Sequence, residues 1–153
     1  MSEPRFSIGI DLGTTHCALS YVDIGACDGE QVVQEVLQIP QLTAPGSVES
    51  LGLLPSFLYL PHASELAAGD LHLPWTAEQD YAVGELARNR GAATPIRLVS
   101  SAKSWLCHAG VDRRAAILPN DAPPEVTRLS PLEASLRYLR HLRAAWDHAH
   151  ADA

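Results

Sequence analysis

Phe6, Ile8, Ile10 and Leu12 alternate with Ser7, Gly9 and Asp11. A period of two predicts a strand. Gly9 lacks a side chain, which lets another group approach the backbone closely. Gly13-Thr14-Thr15-His16 reads as a turn, after which Cys17, Leu19 and Tyr21 alternate with Ala18, Ser20 and Val22 as a return strand. Gln31 to Ile39 reads as a third strand, completing an antiparallel meander. Pro40 to Gly52 has the composition of a loop, and Leu53 to Pro61 reads as one short strand bounded by prolines. The stretch from His62 to Asp80 reads as irregular and exposed. Tyr81 to Gly91 reads as a strand end, a glycine turn and a short helix, and "RLVSSAKSWLCH" as a second helix.

The strongest periodicity comes last. Ser130, Pro131 and Glu133 stand at N-cap, N1 and N3, a capping box with proline at its preferred position. Leu132, Leu136, Leu139, Leu142 and Trp146 then recur at steps of three and four, which predicts one apolar helical face. Arg137, Arg140 and Arg143 fall on other faces, and solvation is their default expectation.

Composition narrows the class. The 153 residues suit one domain or part of one, and 46% are apolar, enough for a real core. Eleven prolines and ten glycines argue against a simple bundle. A net charge of −7 argues against broad nucleic-acid binding, which needs a basic face. Cys17, Cys27 and Cys107 are odd in number and have no paired spacing, so a disulfide framework is not expected and a reducing cytoplasm fits. Neither a signal peptide nor a membrane span is expected.

Asp11-Leu-Gly-Thr-Thr carries the chemistry. Amides of a tight glycine turn converge on one spot and hold phosphate oxygens, and threonine hydroxyls add donors. A carboxylate beside that anion needs a divalent cation between them, and magnesium keeps several waters while touching few carboxylates. Asp11 is therefore a candidate magnesium-side acid, with Thr14, Thr15 and the Gly13 amide as a phosphate cradle. On residues alone, a tight hairpin with a solvated Asp and two β-favouring threonines weighs about equally, because short motifs match often by chance.

"IGIDLGTTHCALSYVD" resembles the first phosphate-binding loop of the actin, sugar-kinase and heat-shock ATPase superfamily. The DnaK-type heat shock protein 70 branch fits best. "LLPSFLYLP" is similar to that family's strand after the opening meander, "YAVGELARNRGAATPIRLVSSAKSWLC" looks like its helix block and following turn, and "SPLEASLRYLRHL" looks like its next helix. The four blocks stand in the family's order and cover nearly the whole chain.

The resemblance implies an α/β, ribonuclease-H-like (actin-like ATPase) half-lobe: a mixed β-sheet with packed helices plus a small α/β subdomain. It implies a core meander and following strand over about 1–61, a small subdomain over 62–130 and a returning helix over 131–150. It implies ATP or ADP with magnesium as cofactors, Asp11 holding the metal through water, and Gly13, Thr14, Thr15 and His16 at the phosphates. Arg88 stands at the family's catalytic lysine position; arginine is larger and planar, so the two are not interchangeable. His16 also reads simply as the last residue of the turn, and Arg88 as a surface helix arginine. The family's remaining site residues and its peptide-binding domain have no counterpart here. The expectation is thus the N-terminal piece of a cytoplasmic chaperone ATPase, inactive alone and prone to self-association through uncovered apolar surface. Unfolded peptide clients and co-chaperones would be partners of the parent, with no nucleic acid and no membrane. A nucleotide-gated scaffold without turnover and a small-molecule kinase of the same superfamily are the alternatives.

The other clusters have plainer readings. His141, His148 and His150 have spacing a zinc site uses, but no acid or cysteine cluster accompanies them, so a frayed helix end is expected. Cys107 beside His108 reads as a buried structural cysteine. No G-x-S-x-G elbow surrounds Ser20, Ser100, Ser101 or Ser104, so serine hydrolase chemistry lacks support.

Overall fold

The computed structural model describes residues 3–29 and 31–152. Its strands are β1 (Phe6–Leu12), β2 (His16–Asp23), β3 (Glu35–Val36), β4 (Ile39–Ala44), β5 (Ser47–Leu51), β6 (Leu54–Pro55), β7 (Leu58–Tyr59), β8 (Ala82–Val83) and β9 (Leu98–Val99). Its helices are α1 (Glu85–Ala93), α2 (Ala102–Leu106) and α3 (Pro131–Ala149). The chain is mixed α/β. Every strand pairing among the described residues is antiparallel, whereas the resemblance implies a mixed sheet. Parallel neighbours need long crossovers, and the shortest connections here are tight hairpins.

The opening hairpin forms as its alternation predicts, in register from Phe6 opposite Asp23 to Leu12 opposite Cys17. On its other side β2 pairs with β3 and, nearer the tip, with β6. The third strand is far shorter than Gln31–Ile39. Only Glu35 and Val36 pair, and Val32 and Val33 are exposed. The run "QVVQEV" lacks strict alternation, so no single face of it has a core to meet.

Pro40–Gly52 is not a loop. It is most of a second hairpin, β4 against β5, turned by Pro45 and Gly46. Gly46 takes φ +70°, a conformation that glycine adopts without steric cost. The stretch looks like loop because β5 is exposed throughout and the polar Gln41 of β4 is satisfied inside. Gln41 is fully buried, donating to the Leu53 carbonyl at 2.9 Å and accepting from the Glu85 amide at 3.1 Å. It thereby serves the open N-terminus of α1, whose N-cap Gly84 has no side chain to do so. A Cβ on Gly84 would lie 2.5 Å from Gln41 Oε1.

The proline-bounded strand splits in two. β6 joins β2, whereas β7 joins β8 and β9, with Ser56 and Phe57 between them. The strand, glycine and helix read over Tyr81–Gly91 are β8, Gly84 and α1. The second helix is only five residues long. In 62–80, Leu71 and Leu73 are buried against Leu42, Tyr59 and Leu86, so this irregular stretch closes a second, smaller core.

α3 begins as the capping box predicts, with Ser130 Oγ accepting from the Glu133 amide at 3.0 Å. The Glu133 carboxylate turns instead to Arg137 and Arg140. The buried face is rotated from the leucine stripe. Ala134, Ser135, Tyr138, His141, Leu142 and Ala145 face the core, while Leu132 and Leu136 are exposed. Tyr138 and His141 can be buried because each finds a backbone carbonyl, at Ser56 and Pro40. Arg137 is not a solvated residue either: its guanidinium lies 4.2 Å from the centre of the Tyr81 ring. The main core joins β2, β4, β6, β7, β9, α2 and α3 through Leu19, Ile39, Leu54, Leu58, Val99, Ala102 and Leu142.

Candidate functional site

The tip of the first hairpin is tight. A Cβ on Gly13 would lie 2.1 Å from the His16 carbonyl oxygen, so the backbone path excludes any other residue there. That turn is held from outside. The Ser56 amide donates to Thr15 O at 2.9 Å, and the Ser56 hydroxyl donates to Gly13 O at 2.8 Å. Cys17 Sγ lies 3.3 Å from Ser56 Oγ. Because the hydroxyl proton is already given to Gly13, the thiol is the donor here. Burial pushes the Cys17 thiol up, which keeps it protonated in that role. Tyr138 donates its hydroxyl to Ser56 O at 3.2 Å, and burial likewise raises its pKa and keeps the proton on.

A chain of hydrogen bonds therefore runs from α3 through Ser56 to the carbonyls of the tip. Those carbonyls are thereby turned inward. No protein acceptor among the described residues takes the amide of Thr14 or Thr15, and both side chains are exposed. Asp11, exposed on the last part of β1, stands two residues before Gly13. Beside it lies a shallow hollow of about 280 Å³ lined by Gly9, Ile10, Asp11, Ala18, Ser20 and Val36. A side chain at Gly9 would enter that face, its Cβ 3.2 Å from Ser20 Oγ.

The predicted site is thus brought together in part. Asp11, Gly13, Thr14, Thr15 and His16 share the tip, with His16 already the first residue of β2, opposite Pro55. Arg88 is held elsewhere: its guanidinium pairs with Glu85 one turn back on α1, at 2.7 Å. No hydrogen bond or ion pair among the described residues ties it to the tip. Burial, foremost, raises the Cys17 thiol beneath the turn, and the charge of Lys103 on α2 opposes it in small part.

Sequence reasoning missed Ser56, Tyr138 and Lys103. The Pro55-Ser56 pair between two apolar runs was a weak signal for the first, and nothing local marks the others. The remaining candidates separate. His141 is buried and donates Nε2–H to Pro40 O at 2.9 Å, while His150 stacks on Trp146 and bonds the Trp146 carbonyl. Among the described residues they form no shared ligand set, and the end of α3 is not frayed: it stays helical through Ala149, with His150 held against Trp146. Cys107 is exposed, not buried, and stands at the C-cap of α2. A hollow of about 570 Å³ lies over the turns of 61–80, and no tip residue lines it.

The donor set of the tip fits a hydrated divalent cation and a phosphate: one open carboxylate, two free amides and two exposed hydroxyls within five residues. Among the described residues no three His, Cys, Asp or Glu side chains gather as a metal-binding group. A single carboxylate matches the cation that keeps most of its waters. No protein-family model matches this chain, and no curated protein sequence matches it. No helix among the described residues is long and apolar enough to cross a membrane.

Proposed function

We propose that the β1–β2 tip binds the phosphates of magnesium-ATP, as the first phosphate loop of an actin-like, heat-shock-type ATPase domain. The observation that carries this reading is the division of labour at the tip. Ser56 takes the inward carbonyls of Gly13 and Thr15, and the amides of Thr14 and Thr15 stay free for an anion. Asp11 orients the water shell of magnesium, which supplies the charge neutralisation that lets an acid and a phosphate lie side by side. Gly13, Thr14, Thr15 and His16 form the cradle.

The nucleotide-gated alternative draws support from one further observation. Arg88, at the position where the family places its catalytic lysine, is engaged by Glu85. This chain then binds without turning over, and hydrolysis, peptide clients and co-chaperones belong to a larger parent. Calorimetric titration with ATP tests the reading. Binding that requires magnesium and weakens at least tenfold in Asp11→Ala is the expected result, a difference of about 1.4 kcal/mol. Binding indifferent to both magnesium and Asp11, or no binding at all, contradicts it.

A further inference from the structure

β1 pairs with β2 on one side and with nothing among the described residues on the other. It is seven residues long, and Ser7 through Asp11 are all exposed. An edge of this length usually carries a charge, a proline or a bulge that blocks further pairing. The other long open strand, β5, carries Glu49 at its centre. The centre of β1 is Ser7-Ile8-Gly9-Ile10, with no such device.

The free backbone groups can be assigned. Ile24 N donates to Arg5 O at 2.8 Å, so Arg5 belongs to a hydrogen-bonded pair with β2. Alternation along the register puts Ser7, Gly9 and Asp11 in the same class. Leu37 N donates to Leu19 O at 2.9 Å from the far side, which confirms that Leu19, opposite Ile10, points its backbone away from β1. Phe6, Ile8, Ile10 and Leu12 therefore turn their N–H and C=O groups to the open edge. Their side chains share one face, on which Ile8 is 45% and Ile10 52% exposed.

We propose that β1 pairs antiparallel with β1 of a second copy of this chain, about a two-fold axis at Gly9. This register is self-complementary. Phe6 faces the copy's Leu12 and Ile8 faces the copy's Ile10, so all four outward residues of each strand find hydrogen-bonded partners. Their side chains form one apolar ridge across both copies, covering the two exposed isoleucines. On the opposite face Ser7 meets the copy's Asp11, a donor against an acceptor, and Arg5 lies on the diagonal from that carboxylate. The two acids stand four residues apart along the strands, about 13 Å. At the axis two glycines meet in a non-hydrogen-bonded pair, where strands approach to about 4.5 Å between Cα atoms. The isologous contact closes on itself, so the product is a dimer and not a fibre. Gly13, Thr14 and Thr15 lie beyond the paired segment, whereas Asp11 belongs both to it and to the proposed phosphate site, so the dimer is tested by mass in the absence of nucleotide.

Light scattering on the size-exclusion eluate tests it across a concentration series. The mass is expected to rise toward 33 kDa, twice the 16.5 kDa of one chain. Ile10→Lys should restore the monomer mass with an unchanged far-ultraviolet spectrum, whereas Val33→Lys, at a more exposed valine off the strand, should not. Gly9→Cys in a Cys27→Ser, Cys107→Ser background should oxidise to a disulfide-linked dimer, and Ser7→Cys in that background should not. A monomer at every concentration, a dimer indifferent to Ile10→Lys, or crosslinking at Ser7 instead of Gly9 would overturn the proposal. The crosslinking pair decides the register even if Ile10→Lys unfolds the chain.

Discussion

The two hairpins are both fastened to α3, one helical turn apart, and they are closed in opposite ways. The second, β4–β5, has its turn held through an amide: Pro45 presets its own φ, Gly46 takes φ +70°, the pairing a type II turn uses, and the Gly46 N–H donates to Asp70 O at 2.9 Å. Its base is tied by His141 to Pro40 O. The first, β1–β2, is closed by residues far away in sequence. Ser56 holds the carbonyls of Gly13 and Thr15, and Tyr138 holds Ser56. The contrast has a chemical meaning. The two central residues of the β4–β5 turn have no amide to offer a ligand, because Gly46 gives its N–H to Asp70 O and Pro45 has none. A turn closed from behind, through its carbonyls, presents its amides and hydroxyls to whatever approaches.

The largest effect expected from breaking this arrangement lies at the second hairpin, through pH. Burial lowers His141 to about 4, against 6.5 for an open imidazole. Between those values the unfolded chain binds a proton that the folded chain refuses, so acid favours unfolding. The stability from this group is complete above pH 6.5 and disappears as the pH falls through 4. The difference is on the order of 3 kcal/mol. Urea denaturation at pH 7.5 and at 4.5 should show that loss, and His141→Gln, which donates to Pro40 O without titrating, should reduce it. An equal pH dependence in the variant would show that His141 does not carry it.

Next comes the tip staple. Ser56→Ala leaves Gly13 O and the Cys17 thiol without their partner, and should cost about 1–3 kcal/mol by chemical denaturation. Amide resonances of Gly13, Thr14 and Thr15 should move and broaden, because the turn has no closure of its own. Unchanged resonances would mean that the tip holds its shape without Ser56.

The smallest effect is the reciprocal one. Gly46→Ala places a Cβ in the left-handed region and should cost about 1 kcal/mol. The Gly13–Thr15 amides should not respond, since the hairpins share α3 but no turn residue. A response there would show that the two tips are coupled.

What the sequence disclosed divides along the same line. β1–β2 alternates strictly and was legible from Phe6 to Val22. The start of α3 was legible because a cap is a local device in four residues. β4–β5 was hidden because Gln41 is buried with both ends of its amide satisfied, an arrangement that composition registers as loop. The phase of α3 was hidden for a similar reason. The leucines mark a helix of the right period, but Tyr138 and His141 win the inner face through hydrogen bonds to Ser56 and Pro40, 82 and 101 residues away. At the tip, Asp11 and the threonines could be read from the motif itself. The residues that hold the tip open could not, because Ser56 and Tyr138 reach it only through tertiary folding.

The central claim is that the first tip is a preformed phosphate cradle. Its most direct test is a titration with magnesium-ATP followed by NMR at the amides of Gly13, Thr14 and Thr15, with Asp11→Ala as the control. The account predicts saturable shifts centred on these three amides, absent without magnesium and lost in the variant. Silence at all three amides, or shifts that persist unchanged in Asp11→Ala, would contradict it.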